Sequence, residues 1–348
     1  MTQLFQRHAD NPIIRPGGPA WRRAVTFNPA VLRDDDGRFY LYERTAGQFR
    51  PFHCYIGLLE SDDGVHFTHV RDEPVLTPGM LGSEYGSVQD PRIVKIDGDY
   101  LLTYAYRPYA WNSCPTGVGV PESEEVHYPG FTGESEKNQT RSGVAISRDR
   151  VNWQHLGWVN PPDVDDRNII LFPEKIGGKY LVLRRPSGFV STQARHEQAP
   201  DICLSWSDDL KTWSDPEPLI SPAFDWENNR IGGSSPPIRT EAGWLVFYHG
   251  VETLDASVRR VCYRMGAAML DGSDPTRVIA RCDHPLFEPE AYYEKVGAYI
   301  PNVVFPTAAL PVDGEIYLYY GCCDTAIGLA TANLADVVDH VMQYPLRP

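Results

Sequence analysis

The sequence predicts an all-β chain, folded as a five-bladed β-propeller, and three observations predict it. A short unit opening on an X-Pro step recurs five times, about 60–80 residues apart. Within each unit a glycine-containing tight turn separates two runs rich in Tyr, Leu and Val. Three of the units then carry a Ser-x-Asp-x-x-x-aromatic loop at identical spacing. Four strands in each of five units match blades radiating from a central channel. A barrel of about eight to eleven strands leaves the repeat without a cause.

The first unit opens at Asn28-Pro29, turns at Asp36-Gly37 and continues through Arg38–Arg44. The second opens at Asp90-Pro91, turns at Asp97-Gly98 and runs through Asp99–Tyr106. Phe172-Pro173, the turn Gly177-Gly178 and Lys179–Arg185 make the third. The fourth has Pro236-Pro237, Ala242-Gly243 and Trp244–His249; the fifth has Phe305-Pro306, Asp313-Gly314 and Glu315–Gly321. The repeated loops begin at Ser61, Ser147 and Ser207, and end on Phe67, Trp153 and Trp213. Leu334–Val341 reads as a short helical or loop closure. Residues 1–348 are expected to form a single domain, interrupted by a long, polar, Pro- and Gly-rich loop at 107–141 in the second blade. A loop of that length is usually functional. Its aromatics Tyr109, Trp111, Tyr128 and Phe131 suit a wall against a sugar ring.

Composition narrows the function. The net charge of −14 disfavours binding to nucleic acid or an anionic membrane surface. No run of the sequence is apolar for long enough to span a membrane, and the first residues lack the apolar core of a signal peptide. The seven cysteines are odd in number and form no C-x-x-C pair, so reduced thiols, a cytoplasmic location and no structural metal are expected.

Asp90 is the candidate catalytic group. Proline disfavours the helical region for the residue before it, so Asp90 is expected to be extended and rigidly aimed at the head of a strand. A propeller axis gathers blade starts, which brings Arg167, Asn168, Arg184, Arg185, Arg230, His249 and Asp324 toward the same region. Taken singly, each arginine fits a surface or structural ion pair, and the histidine fits a core position. Converging near one acid in an acidic protein, they fit a phosphate or phosphoester, whose oxygens match the guanidinium fork.

These stretches resemble glycoside hydrolase family 130, mainly inverting β-mannoside phosphorylases on a five-bladed propeller. The resemblance rests on Phe27-Asn28-Pro29, Gln89–Ile93, Leu171–Ile176, Arg185-Pro186, Gly243–Gly250, Pro301–Pro306 and Tyr319–Ala330, and so covers most of residues 11–340. It implies Asp90 as catalytic acid, reaching the glycosidic oxygen through a hydroxyl of the bound mannosyl unit. It implies phosphate binding by Arg167, Arg185, Arg230 and His249, with Arg230 where many members have Lys. Sugar binding at the donor subsite falls on Asn28, Arg44, Asn168 and Asp324. No cofactor is implied, inorganic phosphate being a co-substrate. Two departures, Arg184 where relatives often have His and the long 107–141 loop, bear on acceptor identity.

An inverting hydrolase needs an acid and a base, whereas a phosphorylase needs only the acid, because its nucleophile is already an anion. The expected function is therefore phosphorolysis of a β-mannoside to α-mannose 1-phosphate and a shortened sugar. The alternatives are a β-mannosidase of the same family, with Glu174 or Glu227 as base, and a non-catalytic sugar-binding propeller. The sequence leaves open the linkage, the acceptor sugar and the oligomeric state, a homo-oligomer included.

Overall fold

A computed structural model of the chain describes residues 4–110, 128–131, 135–186, 200–258, 260–298 and 300–346. A two-residue strand, β1 (Gln6–Arg7), precedes the first blade. Blade one is β2 (Val25–Arg33), β3 (Phe39–Ala46), β4 (Cys54–Ser61) and β5 (Thr68–His69); blade two is β6 (Ser87–Ile96), β7 (Asp99–Arg107), β8 (Arg141–Ser147) and β9 (Gln154–Trp158). Blade three is β10 (Asp166–Leu171), β11 (Tyr180–Pro186), β12 (Ile202–Ser207) and β13 (Glu217–Ile220). In blade four, β14 (Arg230–Gly233) and β15 (Ile238–Thr240) both pair with β16 (Gly243–Asp255), followed by β17 (Arg260–Leu270) and β18 (Val278–Arg281). Blade five is β19 (Val304–Val312), β20 (Glu315–Cys322) and β21 (Ala326–Asn333), with β1 added to its outer edge. Helices α1 (Tyr292–Lys295) and α2 (Leu334–Met342) pack outside the sheets, and Asn333 caps α2 by accepting from the Asp336 amide.

Five apolar layers hold neighbouring blades together. Tyr42, Leu58, Leu102 and Tyr104 lie between blades one and two; Val94, Leu101, Ile169 and Val182 lie between two and three. Leu183, Leu204, Trp244 and Val246 join three to four, and Leu245, Phe247, Leu318 and Ala330 join four to five. Val31, Leu41, Ala308 and Leu329 close the ring between five and one. A further cluster, Phe27, Phe52, Val251, Val261, Val303 and Phe305, draws on blades one, four and five.

The Ser-x-Asp loops repeat because each performs the same backbone capping. Asp63 Oδ1 accepts from the amides of Val65 and His66, Asp149 Oδ1 from Val151 and Asn152, and Asp209 Oδ1 from Lys211 and Thr212. The serine hydroxyl accepts from the residue three ahead, and that residue (Gly64, Arg150 or Leu210) sits at positive φ. The turns are less uniform than the sequence predicts. Asp97-Gly98, Gly177-Gly178 and Asp313-Gly314 have both residues at positive φ, as a type I′ hairpin requires. At Asp36-Gly37 only Gly37 does, within a longer loop.

The X-Pro step is a shared blade opening in only part of the ring. In blades one and two it falls at a bulge of the inner strand, between Phe27 and Ala30 and between Gln89 and Arg92. In blade three the bulge is at Asn168-Ile169, and Phe172-Pro173 follows the strand instead of opening it. In blade four Pro236-Pro237 interrupts the inner strand between β14 and β15, because neither proline can donate to a ladder.

Candidate active site

The inner-strand bulges of blades one, two and three hold Asn28, Asp90 and Asn168 at φ of 45°, 48° and 57°. This corrects the expectation of an extended Asp90. The left-handed turn is open to Asn and Asp more than to other non-glycine residues, and a bulge re-aims the side chain it carries. Such conformations cost of order 1–3 kcal/mol and persist where surrounding contacts over-determine them.

Two groups of side chains result. In the acidic group, Asn28 Nδ2 and Arg44 Nη1 each donate to Asp90 Oδ1 at 2.8 Å. Arg44 comes from β3, lies opposite Phe27, and stacks its guanidinium 4.4 Å from that ring. Gly321 lies so close to Asn28 that a Cβ there would sit 1.9 Å from Oδ1. Asp324, just past β20, also reaches Asn28. Despite burial, Arg44, Arg92 and Asn28 hold the Asp90 carboxyl below the ordinary range. Asp324 moves the other way: burial, opposed by Arg44 and reinforced by the charge of Asp90, pushes it up to about 7. Of the two carboxyls, Asp324 is therefore the more readily protonated and Asp90 the one held ionised.

The basic group comes from blades three and four. Arg185 Nη1 and Asn168 Nδ2 donate to His249 Nε2 at 3.4 and 3.3 Å. Burial, with Arg185, Arg230 and Arg92 nearby, depresses the His249 pKa well below its usual value, so the ring is neutral and Nε2 accepts. The ring stacks on Tyr263 and meets Phe305 edge-on at 4.6 Å. Arg185 is crowded by Arg230 and Arg167 as well as buried, and its pKa falls to about 9. Its Nε has no protein partner. Arg230 donates to Asn229 and to the Tyr263 hydroxyl. Among the described residues neither Arg185 nor Arg230 forms an ion pair with a carboxylate, whereas Arg167, at the rim, reaches Asp165 at 3.2 Å.

Other candidates are taken up structurally. Arg184 is buried in blade three against Asp166 and Ser205, turned to its own sheet. Glu227 is fully buried and bonded to Arg281, Tyr248 and the Ala223 amide, and Glu174 is exposed. Of the long loop's aromatics, Trp111 lies outside the described residues. Tyr109 stacks on Phe131 at 4.2 Å, and Tyr128 is buried between Tyr85 and Tyr109, so these rings largely pack on one another. Sequence reasoning gave no role to Tyr263 or Phe305. The pair Gly232-Gly233 reads in the sequence as allowing close backbone approach, and a Cβ on Gly232 would lie 2.5 Å from Asn168 Nδ2 and 2.6 Å from His249 Cε1.

The propeller thus carries a hydrogen-bonded pair of carboxyls and, apart from it, a group of crowded cations. The family model described as beta-1,4-mannooligosaccharide phosphorylase matches residues 5–117 and 120–343. The chain belongs to glycoside hydrolase family 130. It is 36% identical to the 1,2-beta-oligomannan phosphorylase of Thermoanaerobacter sp. (strain X514), over 96% of this chain and 98% of that protein. It is 32% identical to the beta-1,4-mannooligosaccharide phosphorylase of Ruminococcus albus, over 98% and 92% of the two chains. The solved structure of beta-1,2-mannobiose phosphorylase from Listeria innocua, complexed with beta-1,2-mannobiose, matches with a TM-score of 0.75 at 25% identity, over 98% of this chain and 99% of that one.

Proposed function

We infer that the chain is a β-mannoside phosphorylase, using inorganic phosphate as co-substrate and no further cofactor, with its active site at the propeller axis. Relatives across nearly the whole chain carry that activity. The observation that carries the mechanism is the cationic group in which buried Arg185 and half-buried Arg230 form no ion pair with a carboxylate among the described residues, beside a neutral His249. Burying a cation without a counter-ion is costly, and an oxyanion is the guest that relieves it.

In this reading Arg167, Arg185, Arg230 and His249 bind phosphate and aim one oxygen at the anomeric carbon. Asn28, Arg44, Asn168 and Asp324 hold the mannosyl hydroxyls. Asp90 supplies the proton to the departing oxygen, through a hydroxyl of that sugar. Asp90 is ionised in the free site, so it takes up a proton before giving one, and Asp324, the more readily protonated carboxyl beside it, is the source. Attack from the face opposite the leaving group inverts the configuration and yields α-mannose 1-phosphate. Hydrolysis would need a base to activate water, and the two glutamates considered for it are tied to Arg281 or exposed.

The test follows mannose 1-phosphate and free mannose separately while phosphate is varied. Wild type is expected to release mannose 1-phosphate in proportion to phosphate occupancy. Arg185→Ala loses charge-assisted hydrogen bonds worth about 1.5–3 kcal/mol each, so phosphate should bind roughly ten- to hundredfold more weakly. Free mannose released at full rate without phosphate would replace this reading with a hydrolase.

A further inference from the structure

Arg92 lies on β6 two residues beyond Asp90, and its side chain is 1% exposed. Its Nη1 donates to the carbonyls of Asp90 at 2.8 Å and Pro91 at 3.2 Å. Its Nε donates to the carbonyl of Ser234, in the segment that breaks the inner strand of blade four. Ser234 directly follows Gly232-Gly233, and Gly232 is the residue packed against Asn168 and His249. One guanidinium thus ties the backbone under the acidic group to the backbone under the basic group. Among the described residues no carboxylate forms an ion pair with it, and Nη2 has no protein partner. Burial lowers its pKa only to about 10, so it remains a cation at neutral pH. A buried cation costs more than an apolar side chain of similar size unless its position is used.

We propose that Arg92 is a positioning residue for the phosphorylase reaction: its fork holds the Asp90 bulge in its left-handed turn and fixes the acid relative to the phosphate-binding group. The proposal rests on the reading of Asp90 as the acid. The charged and polar groups facing Asp90 are Asn28 from β2, Arg44 from β3, Arg92 from β6 and Asp324 past β20. Removing Arg92 therefore has separable effects. The bulge loses its donor at the Asp90 and Pro91 carbonyls and its tie to Ser234, and the Asp90 carboxyl loses one of its two neighbouring cations.

Arg92→Met, Arg92→Lys and Asp90→Asn are compared with wild type for thermal unfolding, kcat, phosphate KM and the pH dependence of kcat. For folded Arg92→Met, kcat should fall about 100-fold, the loss expected when a reacting group shifts by roughly 1 Å. Phosphate KM should stay within about threefold, because a contact felt only in the transition state lowers kcat. The basic limb of its pH profile should move to higher pH, since a carboxyl that has lost a cation is harder to ionise. Arg92→Lys should keep the wild-type limb while losing kcat, because it keeps the charge but cannot serve carbonyls on two blades. Added guanidinium should restore part of the rate in Arg92→Ala. Folded Arg92→Met with wild-type kcat and limb, beside an inactive Asp90→Asn, overturns this inference alone. An active Asp90→Asn overturns the acid reading and the inference with it. If neither Arg92→Met nor Arg92→Lys folds, Arg92 is structural only and the positioning role is lost.

Discussion

Asp90 and Asp324 share Asn28 and Arg44 as neighbours yet hold protons differently, and each difference has a measurable consequence. With Asp90 as the acid, Asp90→Asn should lower phosphorolysis by roughly 10²–10⁴-fold, the usual contribution of general acid catalysis. Mannoside binding should persist, since Arg44 and Asp324 remain; a variant keeping more than about a tenth of the wild-type rate would remove Asp90 from the role. For Asp324 the folded pKa of about 7 lies above its ordinary 3.8. Its stabilising contribution is complete below the ordinary value and is lost as pH rises through about 7. Wild-type Tm should therefore fall between pH 5 and 8 by more than that of Asp324→Asn, as scanning calorimetry would show; parallel declines would mean that Asp324 is ordinarily ionised in the fold. Both residues could be found in the sequence, because each stands beside a recurrent blade feature. Their opposite proton affinities could not, since those arise from Arg44, Arg92 and burial, which meet only in the folded ring.

At the scale of the element, the bulge is the device that builds the site. The X-Pro step betrays it in blades one and two, where Asn28 and Asp90 precede proline. It misleads in blade three, where Asn168-Ile169 forms the bulge without a proline, and in blade four, where two prolines break the strand. The Ser-x-Asp loops were legible because their capping chemistry is local, depending on a serine, an aspartate and the amides just after them. A bulge depends on register against a neighbouring strand, so no local residue type is obligatory. Gly232 is an element-scale feature of this kind. Gly232→Ala adds a methyl within 2.6 Å of both Asn168 and His249, two buried side chains with little room to retreat. Phosphate KM should rise roughly tenfold or more through lost hydrogen bonds to a charged guest, and the unfolding temperature should fall, since overpacking costs about 1–3 kcal/mol. An unaltered phosphate KM in the folded variant would show that the clamp tolerates displacement there.

The whole molecule is a ring, and a ring must be closed by something. The five-unit count was legible, but the closing element was not, because a two-residue strand carries no periodicity. β1 adds Gln6 and Arg7 to the outer edge of blade five, opposite Thr331 and Ala330. Phe5, fully buried, meets Phe247 of blade four and Phe287 at ring separations of 5.9 and 6.0 Å. Arg7 forms a two-bonded pair with buried Glu294 at 2.8 and 2.9 Å, and Asn11 bonds both backbone groups of Leu329 at 2.8 Å. The first residues of the chain thus fasten its last complete strand to blade four. Removing one ring from that layer should be costly: Phe5→Ala is expected to destabilise the protein by about 3–5 kcal/mol. No candidate site residue belongs to the layer Phe5 fills, so kcat and phosphate KM below the transition should match wild type. The loss is read as a lower urea midpoint. If the propeller unfolds as one unit, the slope of the transition keeps its wild-type value, because that slope follows the surface exposed on unfolding. A second, earlier transition would mean that blade five separates first and that β1 latches one blade instead of closing a cooperative ring. An unchanged midpoint would leave closure to the strands of blade five alone.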